Sequence, residues 1–250
     1  AGVPSYLNHP KITVATSQEH GDRGDAGKMF WADSVRGFHL TCDDDIDYPP
    51  DYVEQIVDAL DRFGLNVAVS FHGTVLRSPF ESFIKSRLSL RFTHFLGHDT
   101  PAHTLGTGVL GYHTSTIAVS RDNFKAPNMA DIWMGILGQQ QKVPFICLKH
   151  KAGWLTEYKG YYEQSIFNHS FANKNDRRDT AALSTQVCLR HMPWSKLDPA
   201  TFKETLMTEH YNKFYAGGGW TYDRDEELGR LRDHIIGPAG WESGDDLLEI

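Results

Sequence analysis

Cysteine is scarce in this chain. Three residues, Cys42, Cys147 and Cys188, are scattered over 250 positions, odd in number and with no CxxC pair. That argues against a disulfide framework, and the three read as reduced, buried thiols of a cytosolic protein. Long apolar runs are also missing. None approaches the roughly 18–20 residues that cross a bilayer, and no signal peptide is expected in these residues. Positive charge is in deficit: 25 Lys plus Arg stand against 32 Asp plus Glu, a formal net charge of −7. That disfavours a broad nucleic-acid surface, so no nucleic-acid partner is expected, although a local basic pocket stays open. Asn168-His169-Ser170 matches a glycosylation sequon, which in a cytosolic chain is a chance occurrence. No internal repeat is visible.

What is present is an ordinary globular composition, 40% hydrophobic and 23% charged. A chain of this length buries about 70–75% of its unfolded surface and needs no staples. Residues 11–16 (KITVAT) alternate and are β-branched, which predicts a strand. A glycine-rich polar loop follows (GDRGDAGK, residues 21–28), then a short helix over 28–35 and a buried strand over 37–42. Val53, Ile56, Val57, Leu60 and Phe63 recur at helical spacing over 51–63, with Pro50 suited to the first turn and Gly64 to the C-terminal cap. Strands are expected over 66–76, 88–95, 116–120 and 143–148, and a helix over 128–141. Strands alternating with helices define an α/β fold. Residues 197–250 change character, with helical patterns interrupted by Gly217-Gly218-Gly219, and are expected to form a helical appendage.

Residues 39–55, HLTCDDDIDYPPDYVEQ, place Asp43, Asp44, Asp45 and Asp47 within five positions. A solvated loop with a helix N-cap accounts for Asp47 or Asp51 but not for three consecutive acids after a buried strand. An EF-hand loop fits Asp43, Asp45, Asp47 and Glu54. It fails at Tyr48, where the sharp turn wants glycine, and at the two prolines and the preceding strand. The third reading is a metal site at the carboxyl end of a strand in an α/β sheet, where such sheets bind ligands. In extended backbone Asp43 and Asp45 point to one side, as two ligands of one ion must. Hard carboxylate oxygens suit Mg²⁺ or Mn²⁺, ions that commonly bridge a carboxylate to a substrate's phosphates.

The stretch TCDDDIDYPPDYV resembles the metal-binding Asp-x-Asp motif of GT-A-fold, family 2-type glycosyltransferases, in the bacterial branch that builds surface polysaccharides. YLNHPKITV (6–14), GDAGKMFW (24–31), HTLGTGVLGYHT (103–114), PNMADIWMGILGQQQKVPFICL (127–148) and KAGWL (151–155) are similar to that branch in the same order, over about residues 6–194. The resemblance implies a GT-A-like, Rossmann-like mixed sheet flanked by helices over 1–196. In the family a strand-helix-strand segment precedes YLNHP and carries the uracil-binding half of the donor site. The chain is accordingly expected to be one piece of a longer polypeptide, with an exposed sheet edge where the missing strand would lie.

Other residues carry two readings each. Lys28 after its glycine-rich turn is a surface lysine at a helix start, or a cation facing a diphosphate. The resemblance implies the second, with Asp25 of the same loop as a further donor-site candidate and Asp44 beside the metal ligands. Gly106, Thr107 and Gly108 sit in LGTGVLGYH, which is either a closely packed strand-turn or a place where backbone approaches a sugar ring. By resemblance they line the donor-sugar and acceptor region. Asp131 is an acid in the first turn of a helix, favoured by its dipole. By resemblance it is the catalytic base that takes a proton from the acceptor hydroxyl. Trp133 stacks on a sugar or belongs to the core. His150 follows the last strand and, by resemblance to GT-A enzymes, is a candidate third metal ligand, with His72 similar in kind. The expected function is metal-dependent, inverting transfer of a sugar from a UDP-sugar to a glycan or lipid-linked glycan hydroxyl. It is placed in the cytoplasm, with possible peripheral association at the inner face of the cell membrane. A non-catalytic nucleotide-sugar or glycan-binding module is the alternative.

Overall fold

The computed structural model describes residues 3–158 and 176–194. The elements run α1 (Ser17–His20), a 3-10 helix (Gly24–Met29), β1 (Phe38–Leu40), β2 (Ile46–Asp47), α2 (Tyr52–Arg62), β3 (Ala68–Ser70), β4 (Gly73–Leu76) and β5 (Arg87–Leu90). They continue with β6 (Thr100–Pro101), β7 (Thr104–Leu105), a 3-10 turn (Thr107–Val109), β8 (Leu110–His113), α3 (Ala130–Gln141), β9 (Phe145–Cys147), β10 (Thr156–Glu157) and α4 (Asp176–Arg190). The fold is α/β with a mixed sheet, as expected. The expected appendage, 197–250, and the sequon lie outside the described residues.

The central sheet has the order β1-β8-β3-β9-β6. Among the described residues only β3 and β9 pair in parallel; the other ladders are antiparallel. β3 and β9 are buried at every position. Their side chains alternate between two cores, as strand geometry requires. Ala68 and Phe145 join Ala130, Met134 and Leu137 of α3 on one side. Val69 and Ile146 join Tyr52, Ile56, Ala59 and Leu60 of α2 on the other. β1 lies at one edge of this sheet, laddered to β8. A second sheet, β5-β4-β7, is wholly antiparallel. α4 packs Val187 and Cys188 against Leu76, Met129, Ile132 and Ile136, and the Phe83 N–H donates to the Thr185 hydroxyl (3.0 Å).

α2 matches its expected span to within a residue, and Gly64 follows its C-cap with φ +62°. The buried stripe differs, however: Tyr52 and Ala59 face inward and Val53 is exposed, because the helix starts on Tyr52 over Phe71. Pro50 lies outside the first turn, with Asp51 at the N-cap.

Several expectations are corrected. Residues 12–16 form no ladder among the described residues. Residues 66–76 are two strands in two sheets. The chain bends at Phe71-His72, where the Ser70 hydroxyl accepts the His72 N–H and the His72 carbonyl accepts the Gly106 N–H. Residues 116–120 are not a strand, because the Gln141 carboxamide bonds both backbone groups of Ala118. The expected helix over 28–35 is a 3-10 helix that begins earlier and gives way to turns. Cys147 and Cys188 are buried but Cys42 is exposed, since it lies in the loop beyond the sheet edge.

Candidate functional site

Beyond β1 the chain is anchored before the acids begin. The Thr41 N–H donates to the Leu110 carbonyl (3.0 Å) and its hydroxyl to the Thr107 carbonyl (2.5 Å). The Asp43 N–H then donates to the Tyr48 hydroxyl (2.7 Å), which itself donates to the Gly108 carbonyl (2.6 Å). One phenol thus ties the acidic loop to the 3-10 turn. Further on, β2 pairs with β10, and the Tyr158 N–H donates to the Asp45 carbonyl (2.7 Å).

Asp43 sits directly over Gly108: a side chain there would collide with its carboxylate. Gly106 is packed as closely against His72. Both glycines therefore make room for protein side chains. The Asp43 carboxylate forms an ion pair with the ammonium of Lys28, whose side chain is only 14% exposed.

Thr107 joins a second acid to this turn. Its N–H and hydroxyl both donate to Asp131 Oδ1, at 2.7 and 2.8 Å. Asp131 lies in the first turn of α3, so the helix dipole favours it, but its hydrogen bonds go to Thr107. Asp25 Oδ2 accepts the Ala130 N–H (2.8 Å) at the same helix start, while Asp25 Oδ1 is buried without a partner. Asp25 thus caps α3 from a remote loop.

The electrostatics follow from crowding carboxylates near protein atoms. Burial pushes the Asp131 carboxyl up, against the two Thr107 bonds and the charges of Lys28 and Arg87. Burial likewise raises Asp25, opposed by the Ala130 N–H and reinforced by the charge of Asp131. Asp45 is raised by burial first and then by the neighbouring Asp43. The charge of Lys28 lowers all three. Burial also holds the Tyr48 hydroxyl above its ordinary value, so it remains a donor.

The structure therefore brings Lys28, Asp43, Gly108, Thr107 and Asp131 together, with Asp25 behind them and Asp45 on the same loop. Asp44 is exposed. His150 is not drawn into this group. Its Nδ1 lies 2.7 Å from the Leu148 carbonyl and its Nε2 3.1 Å from that of Arg91, so backbone oxygens stand beside both ring nitrogens. His72 packs on Phe92, and burial with nearby positive charges pushes it down to about 4. Among the described residues, no group of three or more His, Cys, Asp or Glu side chains could hold a metal ion. Trp133 packs into the apolar clusters beside α4, its indole N–H buried without a partner.

Sequence reasoning missed Thr41 and Tyr48. The only signal for Tyr48 was an aromatic hydroxyl inside an acidic loop, where it served solely to argue against an EF-hand. No helix among the described residues is long and apolar enough to cross a membrane. No protein-family model matches the chain, and no curated protein does either.

Proposed function

We propose that residues 1–196 are a GT-A-like glycosyltransferase domain that moves a sugar from a UDP-sugar to a glycan hydroxyl with inversion. The observation that carries this is the shared 3-10 turn: Thr107 holds Asp131, and Gly108 seats Asp43 with its Lys28 partner. One carboxylate suited to proton transfer thus stands beside one paired with a cation.

The donor set fits a divalent ion of the Mg²⁺ or Mn²⁺ kind. Asp43 and Asp45 offer hard oxygens, burial and then repulsion by Asp43 raise Asp45, and an ammonium already stands on Asp43 as a cation. Asp43 and Asp45 would hold the ion, and a site of one or two carboxylates that leaves room for substrate phosphates is common for Mg²⁺. When bound, the ion supplies charge neutralisation for the departing diphosphate.

The chain's own residues do the rest. Lys28 turns its ammonium to the phosphate oxygens. Asp131 accepts the proton of the acceptor hydroxyl as that oxygen bonds the anomeric carbon and the carbon–oxygen bond to the diphosphate breaks. Its bonding electrons leave with UDP. Thr107 keeps Asp131 Oδ1 engaged and so orients Oδ2 for that proton. A carboxyl raised by burial is the stronger base, closer to the working pH. The acceptor is a glycan or lipid-linked glycan, reached at the inner face of a membrane.

Titration calorimetry of the full chain with UDP, with and without Mn²⁺, tests the reading. Asp45→Asn is expected to weaken Mn²⁺-dependent UDP binding at least about tenfold, some 1.4 kcal/mol. Equal affinities of the two proteins would remove Asp45 from the metal site. Tight UDP binding without transfer across a donor and acceptor panel would favour a binding module. Release of free sugar without an acceptor would point to a phosphohydrolase.

A further inference from the structure

We infer that Lys28 is an internal cation that holds the aspartate site until a diphosphate arrives, so that metal and nucleotide bind as a coupled pair. The inference rests on the metal-dependent reading above and concerns its regulation. Lys28 forms the ion pair with Asp43, and its side chain is 14% exposed against 35% for Asp43. The ammonium is thus more enclosed than the carboxylate it meets. Its charge is also felt by Asp25, Asp45 and Asp131.

A divalent ion arriving alone meets an occupied carboxylate. To ligate Asp43 Oδ1 it must displace the ammonium, and Lys28 then sits beside two added positive charges with no carboxylate of its own. Breaking a part-buried pair by removing one partner is costly, because the remaining charge is left uncompensated. A diphosphate changes this. Its oxygens offer the displaced ammonium charge-assisted hydrogen bonds while ligating the same ion. The ion and the diphosphate therefore raise each other's affinity through Lys28, and by linkage the factor is the same in both directions.

The test is Mn²⁺ binding to the full chain, read by electron paramagnetic resonance of free Mn²⁺, alone and with saturating UDP. Lys28→Met keeps the length of the stem and removes the ammonium. It is expected to bind Mn²⁺ alone roughly tenfold more tightly than wild type, and to gain less from UDP by a comparable factor, within the usual span of coupling between sites. Arg23→Met removes the same charge from the same loop without touching Asp43, and should leave both affinities within about twofold. At about 1 M salt, where the Debye length is about 3 Å, the Lys28→Met difference should persist. In wild type alone, uridine, which lacks phosphates, should leave Mn²⁺ affinity unchanged where UDP raises it. Unchanged Mn²⁺-alone affinity in Lys28→Met, or an equal gain in Arg23→Met, overturns the inference while the glycosyltransferase reading stands. Failure of every protein to bind Mn²⁺, with or without UDP, overturns both.

Discussion

Replacing Asp131 by Asn separates the two roles its position allows. In the wild type Oδ1 accepts both Thr107 donors, at 2.7 and 2.8 Å. An Asn carboxamide oxygen can accept the same two bonds, so the junction between α3 and the 3-10 turn should hold. What disappears is an oxygen able to take a proton. General-base catalysis contributes about 10²–10⁴-fold, or about 2.7–5.5 kcal/mol of barrier, and transfer should fall by that factor with UDP binding nearly unchanged. Stability should move the other way. Burial raises the folded carboxyl above its unfolded value. Below the unfolded value both states are protonated and the group costs nothing. As pH rises toward the folded value the unfolded chain ionises first, stability falls, and above the folded value the loss is constant. Asp131→Asn lacks that loss, so its melting temperature relative to wild type should rise between acid and neutral pH. The same shift predicts that wild-type transfer declines as pH falls through the folded value, because the base is then protonated. The assay is single-turnover transfer from a labelled UDP-sugar, beside thermal melts at acid and neutral pH. Transfer within about threefold of wild type, with a small loss of stability, would reject the base and leave Asp131 as a helix-terminal acid.

Tyr48→Phe removes the hydroxyl that serves both the Asp43 N–H and the Gly108 carbonyl. Leaving those groups unpaired should cost about 1–3 kcal/mol, with about 2–4 °C of melting temperature for each, and should weaken Mn²⁺-dependent UDP binding. An unchanged melt and unchanged calorimetry would show that the phenol does not hold the loop. His150→Ala should lower the melting temperature, since the buried ring packs on Phe71 and lies within hydrogen-bond distance of the Leu148 and Arg91 carbonyls, yet leave Mn²⁺ affinity with UDP unaltered. A tenfold or greater loss of metal affinity in a folded protein would return His150 to the ligand set.

The parts of the fold legible in the sequence are those whose burial writes a period. α2 buries one stripe and exposes the opposite side, so its spacing is visible even though Val53 turns outward. β3 and β9 are covered on both faces, and their spans read as short apolar runs. β6, β7, β2 and β10 are two residues each, too short to show any alternation. Residues 12–16 show the converse: β-branched alternation is a preference for extended backbone, and only a partner strand turns it into a ladder. The break inside 66–76 has no signal in composition, because both halves are apolar. It is set by the bonds that Ser70 and Gly106 make around His72.

The same limit governs the site. Four aspartates after a strand are visible because like charges crowd only where something holds them, and their neighbour Lys28 follows a turn whose glycines are equally plain. The hydrogen bonds that orient these acids are not visible, because they join residues far apart in the chain. Thr107 to Asp131 spans 24 positions and Tyr48 to Gly108 spans 60. Each depends on the sheet bringing the 3-10 turn between β1 and the start of α3. Residue types therefore identify which charges are present, while the turn at Thr107–Val109 decides which of them meet. Asp43 carries the cation because it lies over Gly108 within reach of Lys28, while Asp131 accepts the N–H and hydroxyl of Thr107. That division between one carboxylate paired with a cation and one free to take a proton is what the proposed displacement at an anomeric carbon would use.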